Sequence, residues 1–212
     1  MLTRGLRAGL LTLGLVALGA CSLVPGLAPQ PRVFKLAPAN ETQAGTPVGW
    51  QLLVATPQTV AMLNSTRIVL REQGGHLDYF ADVEWAAPLP ELMQGLLIES
   101  LENTGRIESI ARETSGLRAD YLLMTEIHEF QAEYLNGEPE KTIPVVRVRL
   151  TSKLVRMPRR VIEASQTFEA SVRAAGPTMV DIVEAYNTAF QDCARRLGDW
   201  ALNPGQRLGG GT

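Results

Sequence analysis

Met179, Val183, Tyr186, Phe190, Cys193, Leu197 and Trp200 step by four and three alternately near the end of the chain. That spacing puts all seven on one face of an α-helix. An apolar face of this length has to be covered, so the rest of the chain must supply a matching apolar surface. A coiled coil shows the same spacing, but it usually sustains it over more heptads. A sheet is the other cover, and the sequence offers one. Val146, Val148 and Leu150 alternate with Arg147, Arg149 and Thr151, which gives a strand with one buried and one wet face.

The remaining elements are legible around these two. Val33-Phe34-Lys35-Leu36 reads as a short strand, and Ala37 to Pro47 as a loop. Trp50 to Val54 is a second strand, stopped by Pro57. Arg67 to Arg71 and Leu77 to Val83 form a hairpin across Gly74-Gly75. Pro88-Leu89-Pro90 starts a helix, since proline is tolerated in a first turn. Leu89, Leu92, Met93, Leu96, Leu97 and Leu101 share one face of it, and Gly105 supplies a left-handed cap. Ile107 to Ala111 is a short strand. Ala119 to Tyr134, Ile143 to Val155 and Arg160 to Ala174 form a meander, and Gly176-Pro177-Thr178 introduces the last helix. Four short strands, a helix, a strand, a three-strand meander and a helix predict an α+β fold. The expected architecture is a two-layer sandwich, a mostly antiparallel sheet with both main helices packed on one face.

The start of the chain is of another kind. Arg4 and Arg7 precede an uncharged run from Ala8 to Ala20, which ends in Leu18-Gly19-Ala20-Cys21. A basic start, an apolar middle and small residues before a cysteine are the layout of a bacterial lipoprotein signal peptide. Cleavage before Cys21 would leave its thiol and new amino group to carry acyl chains, and several chains anchor stably. The run is too short to span a bilayer, which takes roughly 18 apolar residues or more. An ordinary secretory signal followed by a chance cysteine is the alternative. Ser22 fits the outer-membrane default, where Asp commonly holds enteric lipoproteins in the inner membrane. The expected organisation is a signal peptide at 1–20, a lipidated Cys21 with a Pro-rich tether to 32, one domain at 33–202, and a flexible tail at 203–212. Pro25, Pro29 and Pro31 keep the tether extended.

Removing the signal takes Lys+Arg from 20 to 18 against 22 Asp+Glu, so net charge moves from −2 to −4. A mildly acidic chain gives no reason to expect nucleic acid or a polybasic lipid-surface role. Roughly 170 residues suit a single core. With Cys21 lipidated, Cys193 is alone and no internal disulfide can form. Its place on the apolar stripe makes it a buried, inert thiol.

A search for reactive constellations returns little. His76 sits in a turn, and His128 reads as a wet-face strand residue beside Glu126 and Glu129. Neither has a Cys or His at metal-ligand spacing. No phosphate loop or nucleophile elbow is present. Glu126, Glu129 and Glu133 could pair as catalytic carboxylates, but solvated strand charges explain them more simply. Arg147, Arg149, Arg156, Arg159 and Arg160 could meet an acidic partner or headgroups, and a solvated edge explains them equally. No catalytic residue, metal or cofactor is expected.

The lipobox and Pro-rich tether are followed by Phe34-Lys35-Leu36, Arg67-Ile68-Val69, Leu77-Asp78-Tyr79-Phe80-Ala81 and Trp85-Ala86-Ala87-Pro88-Leu89-Pro90. In this order they resemble the ABC-type transport auxiliary lipoproteins. Phe80 departs from the tyrosine usual there. The resemblance implies a non-catalytic role beside MCE-type lipid transporters, which combine a permease, an ATPase and a periplasmic MCE-domain protein. It implies an outer-membrane lipoprotein on the periplasmic face that docks the MCE assembly. The runner-up is a structural lipoprotein of outer-membrane or lipopolysaccharide assembly; an enzyme comes third. A homo-oligomer is left open. Tyr79, Phe80, Trp85, Pro88 and Pro90 are the candidate partner-binding residues. Trp85 and the prolines could form a rigid aromatic knuckle, or Trp85 could be a core residue that closes the sheet end.

Overall fold

The computed structural model describes residues 30–40, 45–134 and 142–203, and those from Pro31 onwards belong to one compact unit. The signal peptide, Cys21, Ser22, most of the tether and the tail beyond Asn203 lie outside the described residues. In chain order the elements are β1 (Arg32–Phe34), β2 (Leu52–Val54), β3 (Gln58–Thr59), β4 (Arg67–Arg71), β5 (Leu77–Trp85), α1 (Leu89–Asn103), β6 (Ile110–Arg112), β7 (Tyr121–Glu133), β8 (Val145–Arg156), β9 (Val161–Arg173) and α2 (Met179–Leu202).

β7 is the spine of the sheet. One edge pairs antiparallel with β8 from Tyr121↔Arg156 to Glu133↔Val145, and β9 continues antiparallel on β8. The other edge takes three short strands in succession, all parallel. β2 lies beside Tyr121–Leu123, β3 beside Glu126–Ile127, and β4 beside Ala132–Glu133. β6 extends the sheet beyond β2, β5 pairs antiparallel with β4, and β1 runs parallel to β5. The long ladders are antiparallel, with 12 registered pairs in each of β7–β8 and β8–β9. β3 was not expected from the sequence. Gln58 and Thr59 hold it through backbone pairing and a 2.8 Å bond from the Thr59 hydroxyl to the Ile127 carbonyl.

Both helices pack on one face. α2 lies over β8 and β9, and α1 over β2 and β6 with an edge against α2. The heptad-like stripe therefore meets a sheet and not a second coil. Val183, Tyr186, Phe190, Cys193, Leu197 and Trp200 are all buried. They face Phe130, Val146, Val148, Leu150 and Phe168 of the same core. Phe130 stacks on Tyr186 at 4.9 Å between centroids, and the Tyr186 hydroxyl donates to the Val69 carbonyl at 3.0 Å.

Local chemistry sets the element ends. Thr178 accepts a bond from the Asp181 amide, and the Asp181 carboxylate accepts from the Thr178 amide. This reciprocal capping box satisfies two orphan donors at the start of α2. Gly105 follows α1 with φ 66°, the left-handed conformation expected of its cap. A smaller apolar cluster, Leu53, Ala55, Leu122 and Val155, lies on the other face of the sheet.

Candidate functional site

Trp85 is 2% exposed. Its ring lies edge-on to Tyr186 at 5.2 Å and to Phe130 at 6.0 Å, and its amide donates to the Thr66 carbonyl at 2.7 Å. Pro90 is buried in the first turn of α1. The expected aromatic knuckle is thereby corrected: Trp85 and Pro90 belong to the core and present no surface to a partner. The cause is local. Asp82 adopts φ 56° where the β4–β5 register shifts, and Val83 and Trp85 beyond it turn inward. Tyr79, Phe80 and Pro88 remain half-buried. The Tyr79 hydroxyl donates to the Met62 carbonyl at 3.2 Å, with the Arg67 guanidinium 3.8 Å above the ring. Phe80 is edge-on to Tyr134 at 6.3 Å.

The sheet's outer face carries ion pairs. Glu133 sits 3.1 Å from Arg71 and 3.3 Å from Arg147, and Arg147 reaches Glu169 at 3.1 Å. Arg149 pairs with Glu129 at 3.3 Å, and Arg156 with Glu163 at 2.6 Å. Glu133 has a side chain only 2% exposed, which corrects its reading as a solvated strand charge. A bulge at His128 breaks the β7–β8 register, so the residues beyond it change face relative to a simple alternation. Each of Glu129 and Glu133 is tied to arginine, while Glu126 lies 3.9 Å from His128. They form a structural ladder and do not converge on a shared site. His128 is half-buried, with Nε2 2.9 Å from the Thr151 hydroxyl. His76 is exposed.

Cys193 is fully buried, and burial pushes its thiol up to about 12, with Arg196 opposing the shift. A thiol so placed is protonated at physiological pH and is not a nucleophile. Among the described residues no three His, Cys, Asp or Glu side chains gather where they could hold a metal ion. Among them, too, no helix is long and apolar enough to cross a membrane.

Two clefts lie at the end of the sheet where β7 begins. One of about 450 Å³ runs along Gln51, Leu53, Ile110 and Leu117 to Ala119. The other, about 470 Å³, lies at the β8–β9 turn between Arg156 and Glu163. Exposed apolar side chains stand beside both: Leu117 at 63%, Val161 at 56% and Ile162 at 56%. The sequence reading missed this group. Single apolar residues at strand ends carry no periodic signal, and only the fold brings the β6–β7 segment against the β8–β9 turn. The Met157 amide donates to the Asp120 carbonyl at 2.8 Å, and Arg160 lies 3.9 Å from Glu113.

These features define an α+β sandwich whose outer sheet face carries Glu129, Glu133 and Glu163 in ion pairs with arginine. Residues 34–198 match the family of the ABC-type transport auxiliary lipoprotein component, and the chain belongs to that family. It is similar to a Xanthomonas campestris protein of known crystal structure, with 26% identity. That match covers 85% of this chain and 97% of the other at a TM-score of 0.71. A second solved, uncharacterized protein shares the fold at a TM-score of 0.62, with 13% identity over 80% of this chain and 97% of its own. An uncharacterized protein of Bradyrhizobium diazoefficiens is 29% identical over 165 residues, 78% of this chain. The chain spans only 43% of that curated relative's length.

Proposed function

We propose that this chain is an outer-membrane-anchored periplasmic lipoprotein that docks the MCE assembly of an ABC-type lipid transport system. It acts by binding, without a cofactor. Cys21 carries the acyl anchor, and Ser22 directs sorting to the outer membrane. The partners are a periplasmic MCE-domain protein and, through it, a permease and an ATPase.

One observation carries the choice of docking over lipid carriage. The space between the helices and the sheet is filled. Trp85, Phe130, Phe168, Tyr186 and Phe190 occupy it, and each is at most 2% exposed. A lipid carrier needs an apolar cavity of several hundred Å³. The clefts described here lie at the sheet end, beside arginine and glutamate side chains. A docking protein needs only a surface.

The test is a pulldown of the intact lipidated protein from detergent-solubilised envelopes, with mass spectrometry of what accompanies it. Recovery of an MCE-domain protein with its permease and ATPase is the expected result. Recovery of outer-membrane assembly factors instead would move the protein to a structural role in the envelope.

A further inference from the structure

We infer that the free edge of β9 pairs antiparallel with β9 of a second copy of this chain, about a two-fold axis at Phe168. The inference is independent of the transport role proposed above. It rests on the backbone of one strand and on the order of side chains along it.

β9 is hydrogen-bonded to β8 along one edge, and no other strand among the described residues pairs with it. The ladder fixes which groups stand on the other edge. The Ala174 amide donates to the Pro144 carbonyl at 3.0 Å, and bonded and unbonded pairs alternate along an antiparallel ladder. The even-numbered residues from Ala164 to Ala174 therefore turn their amides and carbonyls towards β8. Ser165, Thr167, Glu169, Ser171 and Arg173 turn theirs outwards, and all five are exposed. The Arg196 guanidinium reaches the Glu169 carbonyl at 2.5 Å, as an outward group allows. A carbonyl oxygen accepts two bonds, so this contact leaves one site for a strand partner.

A free edge of this length is usually blunted by proline, lysine or a bulge. In β9 the register shifts at Glu163, and from Ala164 to Arg173 the strand runs unbroken with neither proline nor lysine. An edge of this kind accepts an added strand.

The order of charges selects the occupant and its register. A two-fold axis perpendicular to the sheet keeps every side chain on its own face. Centred on Phe168, it sets Glu163 of each copy opposite Arg173 of the other, so symmetry makes the pair twice. Centring on Gln166 sets Glu163 against Glu169, and centring on Glu169 sets that residue against itself. Like charges directly opposite are destabilising. Centring on Ser171 pairs Glu169 with Arg173 but leaves only Glu169 to Arg173 of the unbroken stretch in contact. Glu163 already holds Arg156 at 2.6 Å, and a carboxylate has acceptor sites to spare.

The same register places Ala164 beside Val172 and Gln166 beside Ala170 on the helix-covered face. Ala164, Ala170 and Val172 are half-buried at the margin of the core, and pairing covers them. α2 lies over β8 and β9, so each α2 comes beside its copy. Arg196 meets that copy already paired with Asp192 at 2.7 Å, without a bare charge. An edge complementary to itself fits a second copy, and a two-fold contact of one patch with itself is the commonest form of association.

The experiment uses the full chain, solubilised in detergent and oxidised with a mild disulfide catalyst. In this register Ser165 meets Ser171 of the copy, whereas within one strand the two lie about 20 Å apart. The double variant S165C/S171C should give a reducible covalent dimer on a non-reducing gel. The wild-type chain and each single variant should stay monomeric, because neither serine meets its own counterpart. Adding Arg173→Glu should lower the dimer yield by about tenfold, since two opposite-charge pairs become like-charge pairs. No dimer from the double variant overturns the pairing, and equal yields from the single variants or an unchanged yield with Arg173→Glu overturn the register. A photocrosslinking residue at position 171 of the otherwise wild-type chain, in cells, is the second measurement. Adducts with the Ser165 segment of another copy are expected. Adducts with a different protein or with lipid alone, or none, overturn the inference.

Discussion

Glu133 holds a carboxylate almost out of water between Arg71 and Arg147, whose own side chains remain 45% and 33% exposed. Gln131 adds a donor at 3.1 Å. Removing the acid leaves Arg147 without its buried partner, and truncating one member of such a pair costs more than the pair contributes. With both arginines able to reach solvent, Glu133→Ala should lower stability by about 2 kcal/mol. Glu133→Gln should lower it by less, because the amide still accepts a bond. Urea unfolding of the three proteins checks the order. Three other buried groups set the response to alkali. Burial raises the Cys193 thiol from 9.0 to about 12 and the Tyr134 hydroxyl from 10.0 to about 12, and it raises Tyr186 well above its ordinary value. In each case the folded chain keeps a proton that the unfolded chain releases. Their stabilisation is complete below about pH 9 and is lost progressively as pH rises towards 12. Urea midpoints should fall from pH 9 upwards, and Cys193→Ala should remove the part of the fall between pH 9 and 10.

At the scale of elements, what repeats was readable and what bends was not. The α2 stripe, the α1 face and the alternation in β8 are periodic, and each lies where its period places it. The bulge at His128 and the positive φ of Asp82 have no period, so Glu133 was assigned to the wrong surroundings and the choice between a core and a surface place for Trp85 stayed open. The parallel pairing of β2, β3 and β4 along one edge of β7 also left no mark, since each segment is two to five residues long. Thr178 was visible as a helix introducer, while its reciprocal bonds with Asp181 are a structural finding. α2 supplies much of the core, so fraying its first turn should be felt globally. Thr178→Ala should cost about 1 kcal/mol, read as a lower urea midpoint with an unchanged slope. Asp181→Asn keeps an acceptor oxygen and should cost less.

In the proposed function the work is divided between a lipid anchor and a folded body. Among the described residues no helix can span a bilayer, so this body has no helical route of its own into the membrane. The proposed function assigns attachment to Cys21, where each buried CH₂ of an acyl chain would add about 0.8 kcal/mol and a single chain would bind only reversibly. Cys21→Ala should therefore move the protein from the membrane pellet to the soluble envelope fraction, or leave it unprocessed with its signal attached. Carbonate washing followed by immunoblotting distinguishes these by position and size. Ser22→Asp should leave attachment intact and shift the protein towards inner-membrane density on a sucrose gradient. The two variants separate anchoring from sorting. If Cys21→Ala stays membrane-bound at the processed size, the body itself holds the membrane, and the exposed Leu117, Val161 and Ile162 become the first place to look for that contact. If it is released and partner recovery falls with it, docking depends on the anchor raising the local concentration of the body at one membrane surface. In that case a weak protein contact is sufficient, because tethering converts an encounter in solution into one between neighbours.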